Sequence, residues 1–173
     1  MIGGRVLARL LPRSPRDLAR TISRATGLRV EVLGGGLVLS RTDCVMRAEV
    51  VRRLAATLPA ECGVPVAMPM DPDDFAVPDL VVRGEGGEIA LAVEVVSRQE
   101  KARDATQKAD WYAVACIPAL MVVDPRHGTW MLRSRPRDGR YGETRGGRYG
   151  QDIPLPAPLS RSLSTCGLPR YAP

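Results

Sequence analysis

The stretch "VPDLVVRGEGGEIALAVEVVS", residues 77–97, decides the fold. Two runs rich in branched apolar residues flank Gly-Glu-Gly-Gly, so the spacing predicts a hairpin turning near residues 84–88. The second run, Ile89 to Val96, is apolar almost throughout, as a central strand covered on both faces must be. Alternation puts Leu91, Val93 and Val95 on one face and Ala92, Glu94 and Val96 on the other. A charged Glu94 in that setting is costly unless something compensates it. Asp79, at the start of the first run, is expected to approach it by strand crossing or twist. A divalent cation held by Asp79 and Glu94 would supply the compensation, and oxygen ligands suit Mg²⁺ or Mn²⁺.

Downstream, residues 101–114 have the pattern of a charged helix. It contains Lys101 and Lys108, the two lysines of a chain otherwise made basic by arginine. Asp104, Lys108 and Trp111 share one helical face, while Ala105, Ala109 and Tyr112 form a neighbouring face able to pack on a sheet. Lys108 either pairs with Asp104 on the surface or leans over the sheet towards Glu94. As a compact point charge, lysine can steer or help deprotonate a water there. Lys101 is expected in solvent near the helix start.

The flanking segments extend the pattern. Ser14 and Pro15 read as a helix start and Gly27 as its end, with Leu18, Ile22 and Ala25 at helical spacing. "LRVEVLGGGLVLS" (28–40) reads as a glycine-turned hairpin. A second helix is expected from about Thr42 to Leu58, its apolar stripe formed by Val45, Ala48, Val51 and Leu54 or Ala55, with Pro59 as its stop. A strand is expected near 64–67, and the proline and aspartates of "PMDPDD" (69–74) read as a loop. "ALMVVDP" (119–125) and "TWMLRS" (129–134) read as paired strands. Beyond Pro136, only short edge strands and a loose tail are expected. The fold class is therefore α/β, a mixed sheet covered by helices.

At 173 residues the chain can bury one sizeable core, and no apolar run is long enough to span a membrane. Arg5 and Arg9 interrupt the N-terminal apolar stretch, so a signal peptide is not expected. Cys44, Cys62, Cys116 and Cys166 form no CxxC pair, and with one histidine, His127, the chain lacks a zinc-ligand cluster. Four thiols without a pairing pattern fit a reducing cytoplasm. Residues 1–30 carry seven arginines and one aspartate, and residues 126–173 nine arginines and three acids, +6 in each case. Residues 31–125 carry nine basic and fifteen acidic residues, −6. Basic ends around an acidic centre suit a cation site flanked by surfaces that attract polyanions. Aromatic residues at 4% argue against a single-strand binder built on base stacking.

"VPDLVV", "LAVEVVS", the Asp104-x-x-x-Lys108 spacing, Tyr112 and "VVDP" (122–125) together resemble the Uma-type restriction endonuclease family of the PD-(D/E)XK nuclease superfamily. The resemblance runs ungapped from Pro78 to Pro125 and extends over roughly residues 15–150. It implies a restriction-endonuclease-like domain over 15–150, an N-terminal arm over 1–14 and a C-terminal tail over 151–173. It also implies that Asp79 and Glu94 hold the metal, with the Val95 carbonyl as a further ligand. Position 96 is valine where the superfamily motif has lysine, so Lys108 supplies the missing amine. Glu31 matches an acid before the family's glycine turn, an auxiliary position along with Asp104 and Gln107. The chain departs from the family at Arg98 in place of proline, Cys116 in place of glycine, and Gln107 in place of an acid. It also lacks the histidine that often follows the N-terminal hairpin.

These features point to a cytoplasmic, Mg²⁺- or Mn²⁺-dependent endodeoxyribonuclease. Its expected catalytic residues are Asp79, Glu94 and Lys108, its partner is DNA, it needs no organic cofactor, and it assembles as a homodimer. The alternative is a catalytically inactive nucleic-acid-binding or interaction module that keeps the fold.

Overall fold

The computed structural model describes residues 12–98 and 102–171. Ser14 opens helix α1 (Pro15–Thr26) as expected, its hydroxyl accepting from the Asp17 backbone N–H while proline fills the first turn. Gly27 closes the helix in the left-handed conformation, φ 71°. The buried residue of α1 is Ala19, whereas Leu18 and Ala25 of the expected stripe are exposed.

Strands β1 (Arg29–Leu33) and β2 (Gly36–Ser40) form the expected hairpin, turned at Gly34 and Gly35, both with positive φ. They join β4 (Val66–Met68) and β5 (Asp71–Ala76) in a four-stranded sheet of order β2-β1-β5-β4. β5 corrects the loop expected over "PMDPDD". Phe75 is buried and pairs with Val32, and Asp74 accepts from the Gly34 amide at 2.8 Å. Side-chain acceptance and sheet pairing outweigh the turn preference of the Asp-Pro sequence. Residues 12–42, with Ala67–Ala76, belong to one compact unit.

Asp43–Val66 and Val77 onward form the second unit. Its helix α2 (Val45–Ala55) is shorter and differently rotated than the periodicity predicts. The buried positions are Arg47, Val50 and Leu54, followed by Leu58, while Val45 is 83% exposed. The unit's sheet has six strands, ordered β10-β9-β8-β7-β6-β3. These are β3 (Ala60–Cys62), β6 (Leu80–Arg83), β7 (Ile89–Val95), β8 (Ala119–Asp124), β9 (Thr129–Arg137) and β10 (Arg140–Arg148). β6 and β7 are the expected antiparallel hairpin, in register Leu80 to Val93 and Val82 to Leu91. β7 and β8 run parallel, Ala92 to Leu120 through Val95 to Val123. Helix α3 (Ala102–Val114) makes the crossover that a parallel pair requires. It ends at Cys116 with φ 58°, a left-handed position that favours glycine, the residue the resembled family has there.

One face of this sheet is the core. Leu80, Val82, Leu91, Val93, Val95, Met121, Val123 and Leu132 pack with Val50 and Leu54 of α2. Ile153, Leu155 and Leu163 complete it, from and beside the short pair β11 (Ile153–Pro154) and β12 (Ser162–Leu163). The expectation of a loose tail after Pro136 is thus corrected: β10 is nine residues long, and those three apolar residues anchor the following segment. No described helix is long and apolar enough to cross a membrane.

Candidate active site

The site begins at the C-terminal end of β7. Alternation turns Glu94 away from the Leu91/Val93/Val95 core and towards the face reached by α3. Lys108 meets it there, Nζ to Oε1 at 2.7 Å. Tyr112, one helical turn on, donates its hydroxyl to the same Oε1 at 2.6 Å. Both ends of the ion pair are nearly buried, 14% and 12% exposed, and Tyr112 is fully buried. The expected reach of Lys108 over the sheet to Glu94 is thus present. The side chains of Asp104 and Gln107, on the same helix, lie outside the described residues, as does Lys101.

Asp79 sits just before β6 and belongs to a second network. Arg47 of α2 grips it from the core side: Nη2 to Oδ1 at 2.8 Å and Nε to Oδ2 at 3.1 Å. The Val95 backbone N–H donates to Oδ2 at 2.8 Å, and the Asp79 amide donates to the Val93 carbonyl at 2.9 Å. Asp79 thereby stitches the entry of β6 to the end of β7. The two acids expected to converge are held from different helices, Asp79 by α2 and Glu94 by α3. Glu31 lies on β1 of the first unit and is buried.

Sequence reasoning missed two residues here. Tyr112 was placed on a packing face, although its position four residues after Lys108 puts both over Glu94. Arg47 carried no signal at all, because periodicity assigns arginine to solvent.

Strand register gathers further groups at this end of the sheet. Val95 pairs with Val123, Asp124 with Thr129, and Thr129 with Arg148. Arg126 and His127 both bind Asp124, at 2.8 Å and 3.0 Å. Burial alone would raise the Asp124 pKa, but hydrogen bonds from Arg126 and His127 outweigh it and bring the carboxyl to about 2. Arg170 donates to the His127 carbonyl, and the Arg98 guanidinium lies 5.8 Å from the Tyr171 ring centroid. Arg98, Arg126, Arg148 and Arg170 thus belong to the same end of the sheet as Glu94.

Tested against a divalent cation, the donor set divides. Glu94, with the adjacent Val95 carbonyl, fits as an oxygen site at a strand end. At Asp79 an ion would share the carboxylate with the buried Arg47 guanidinium, which already donates to both oxygens. Lys108 and Arg47 each set a positive charge against one of the two acids. Among the described residues, no group of three or more His, Cys, Asp or Glu is placed to hold an ion.

The second unit is thus an α/β fold, a mixed six-stranded sheet with the Glu94–Lys108 pair at the end of β7. The chain matches the Uma2 family, described as "Putative restriction endonuclease", over residues 16–168, and it belongs to that family. A solved structure described as "a putative nuclease belonging to DUF820", from Anabaena variabilis ATCC 29413, has a similar fold. Its TM-score is 0.60 at 17% identity, covering 81% of this chain and 89% of that one. No curated protein matches.

Proposed function

We propose that the chain is a nuclease acting on DNA phosphodiester bonds, with Glu94 and Lys108 at its centre. The observation that carries this reading is the 2.7 Å contact between Lys108 and Glu94, nearly buried at the end of the central strand and backed by Tyr112. Lys108 holds a proton-bearing amine where an attacking water or a phosphate oxygen would lie, and Tyr112 fixes the carboxylate that receives it. Asp79 acts as a positioning residue, fixing the end of β7 through the Val95 amide. Arg98, Arg126, Arg148 and Arg170 present cationic groups to a phosphate backbone at the same strand ends. Mg²⁺ or Mn²⁺ held at Glu94 and the Val95 carbonyl would supply charge neutralisation and a more acidic water. Glu31, Asp104 and Gln107 remain proposed as auxiliary positions.

Incubation with plasmid, single-stranded and branched DNA in Mg²⁺ or Mn²⁺ tests the reading. Wild type should cleave, and Glu94→Ala and Lys108→Ala should not. Cleavage surviving in Glu94→Ala would overturn it. The Arg47 grip on Asp79 favours a second reading, a DNA-binding module that has lost hydrolysis. Salt-sensitive binding without cleavage under any of these conditions is its signature. A homodimer is proposed on the apolar surface of β2, an edge strand whose Leu37, Val38 and Leu39 are exposed. Sedimentation of the full chain tests it, and a monomer at all concentrations would exclude it.

A further inference from the structure

Arg47 is a charged residue in the buried stripe of α2, at the helical spacing of Val50 and Leu54. Its side chain is 9% exposed and that of Asp79 5%, so the pair is almost removed from water. Its fork takes both carboxylate oxygens, which is the bidentate arrangement that gives arginine–carboxylate pairs their specificity. The Val95 amide adds a third donor. A divalent ion approaching Asp79 would meet a fixed guanidinium on the same carboxylate, two cations a few ångströms apart with little solvent between them. An ion taking the Arg47-facing oxygens would have to displace Arg47 and so break a nearly buried pair.

We propose that Arg47 is the resident cation at Asp79. It occupies the place a divalent ion would take there, so metal affinity in this chain is carried by Glu94 and is independent of Asp79. Removing the guanidinium opens an ion site at Asp79. This rests on the reading of Glu94 as the ion-holding acid, but its central claim concerns Asp79 alone. Asp79 then works by position: it is neutralised by Arg47 and spends its lone pairs on joining α2, β6 and β7.

Mn²⁺ titration calorimetry and thermal unfolding of the full chain test this with wild type, Arg47→Met, Asp79→Asn and the Arg47→Met, Asp79→Asn double variant. Wild type and Asp79→Asn should bind the same number of Mn²⁺ ions, since Asp79 positions the end of β7 without ligating. Arg47→Met should gain a site, or bind about ten-fold more tightly, and lose that gain in the double variant. Arg47→Met should also unfold at a lower temperature, and Mn²⁺ should raise that temperature by more than it does in wild type or the double variant, which keep the Glu94 site alone. Loss of a Mn²⁺ site in a folded Asp79→Asn variant would overturn the proposal, because Asp79 would then be a ligand with Arg47 in place. No gain in Arg47→Met would overturn it equally. Arg47→Lys keeps a charge but loses the fork, and covers the case in which the methionine variant does not fold. It should gain part of the Asp79-dependent affinity, and a lysine variant identical to wild type would count against the proposal. Absence of cleavage in every variant strikes the nuclease reading and leaves the calorimetric result intact.

Discussion

Glu94 is stabilised by its neighbours, and its cost without them is measurable. With Lys108 and Glu94 both nearly buried, removing the lysine alone breaks a nearly buried ion pair on one side. Lys108→Met should therefore destabilise the fold by about 3 kcal/mol in urea unfolding, as for other buried pairs broken on one side. The double variant Glu94→Gln, Lys108→Met should recover most of that loss, and an additive double variant would mean the pair is not coupled. Asp124 offers a pH signature. Its folded pKa of about 2 lies below the ordinary 3.8, so its contribution is present above pH 4 and is lost as pH falls towards 2. Melting temperatures of wild type and Asp124→Asn should differ at pH 6 and converge by about pH 2. At this scale the sequence disclosed Glu94 and Lys108, because one is an acid in an apolar strand and the other a rare lysine. Arg47 stayed hidden because its partner is 32 positions away and no local pattern records a pair at that distance.

Among the elements, α2 shows how one long-range pair resets a helix. Reading Val45, Ala48 and Val51 as the buried stripe maximises local apolar periodicity. The fold instead turns the helix so that Arg47 reaches Asp79 and Val50 and Leu54 enter the core. The two registers share Leu54 and differ at Val45, which periodicity buries and the fold exposes. Leu54→Ala should cost about 2–5 kcal/mol through the cavity it leaves, while Val45→Ala, at an 83% exposed position, should change stability by less than about 0.5 kcal/mol. Equilibrium urea unfolding distinguishes them, and comparable losses would restore the register expected from periodicity. The β6–β7 hairpin was legible because its alternation and its glycine turn agree. β5 was not, since Asp-Pro-Asp-Asp carries turn chemistry and becomes a strand only beside β1, with Asp74 taking up the Gly34 amide. The segment after β10 hid its role similarly, its three core residues being scattered among prolines, glycines and polar residues.

For the whole molecule, the net charge of +6 sets an expectation about DNA that strand register makes specific. Duplex binding should weaken steeply with salt and show little base preference, because arginine–phosphate contacts release counterions and carry no sequence information. Composition cannot say which arginines matter, but β10 can. Arg148 lies opposite Thr129, at the end of the sheet where Glu94, Arg98, Arg126 and Arg170 gather. Arg140 lies opposite Arg137 at the other end of the same strand, where Tyr141 donates to the Ile117 carbonyl before β8 begins. Both arginines are exposed and on one element, so they differ chiefly in position. If DNA follows the strand ends that carry Glu94, Arg148→Ser should reduce the slope of log affinity against log salt by about one contact. Arg140→Ser should leave that slope unchanged. Fluorescence anisotropy with labelled duplex in Ca²⁺, over a salt series, reads both. Equal losses would mean that the positive charge attracts DNA diffusely, and a loss confined to Arg140→Ser would move the duplex to the opposite end of the sheet, away from Glu94 and Lys108.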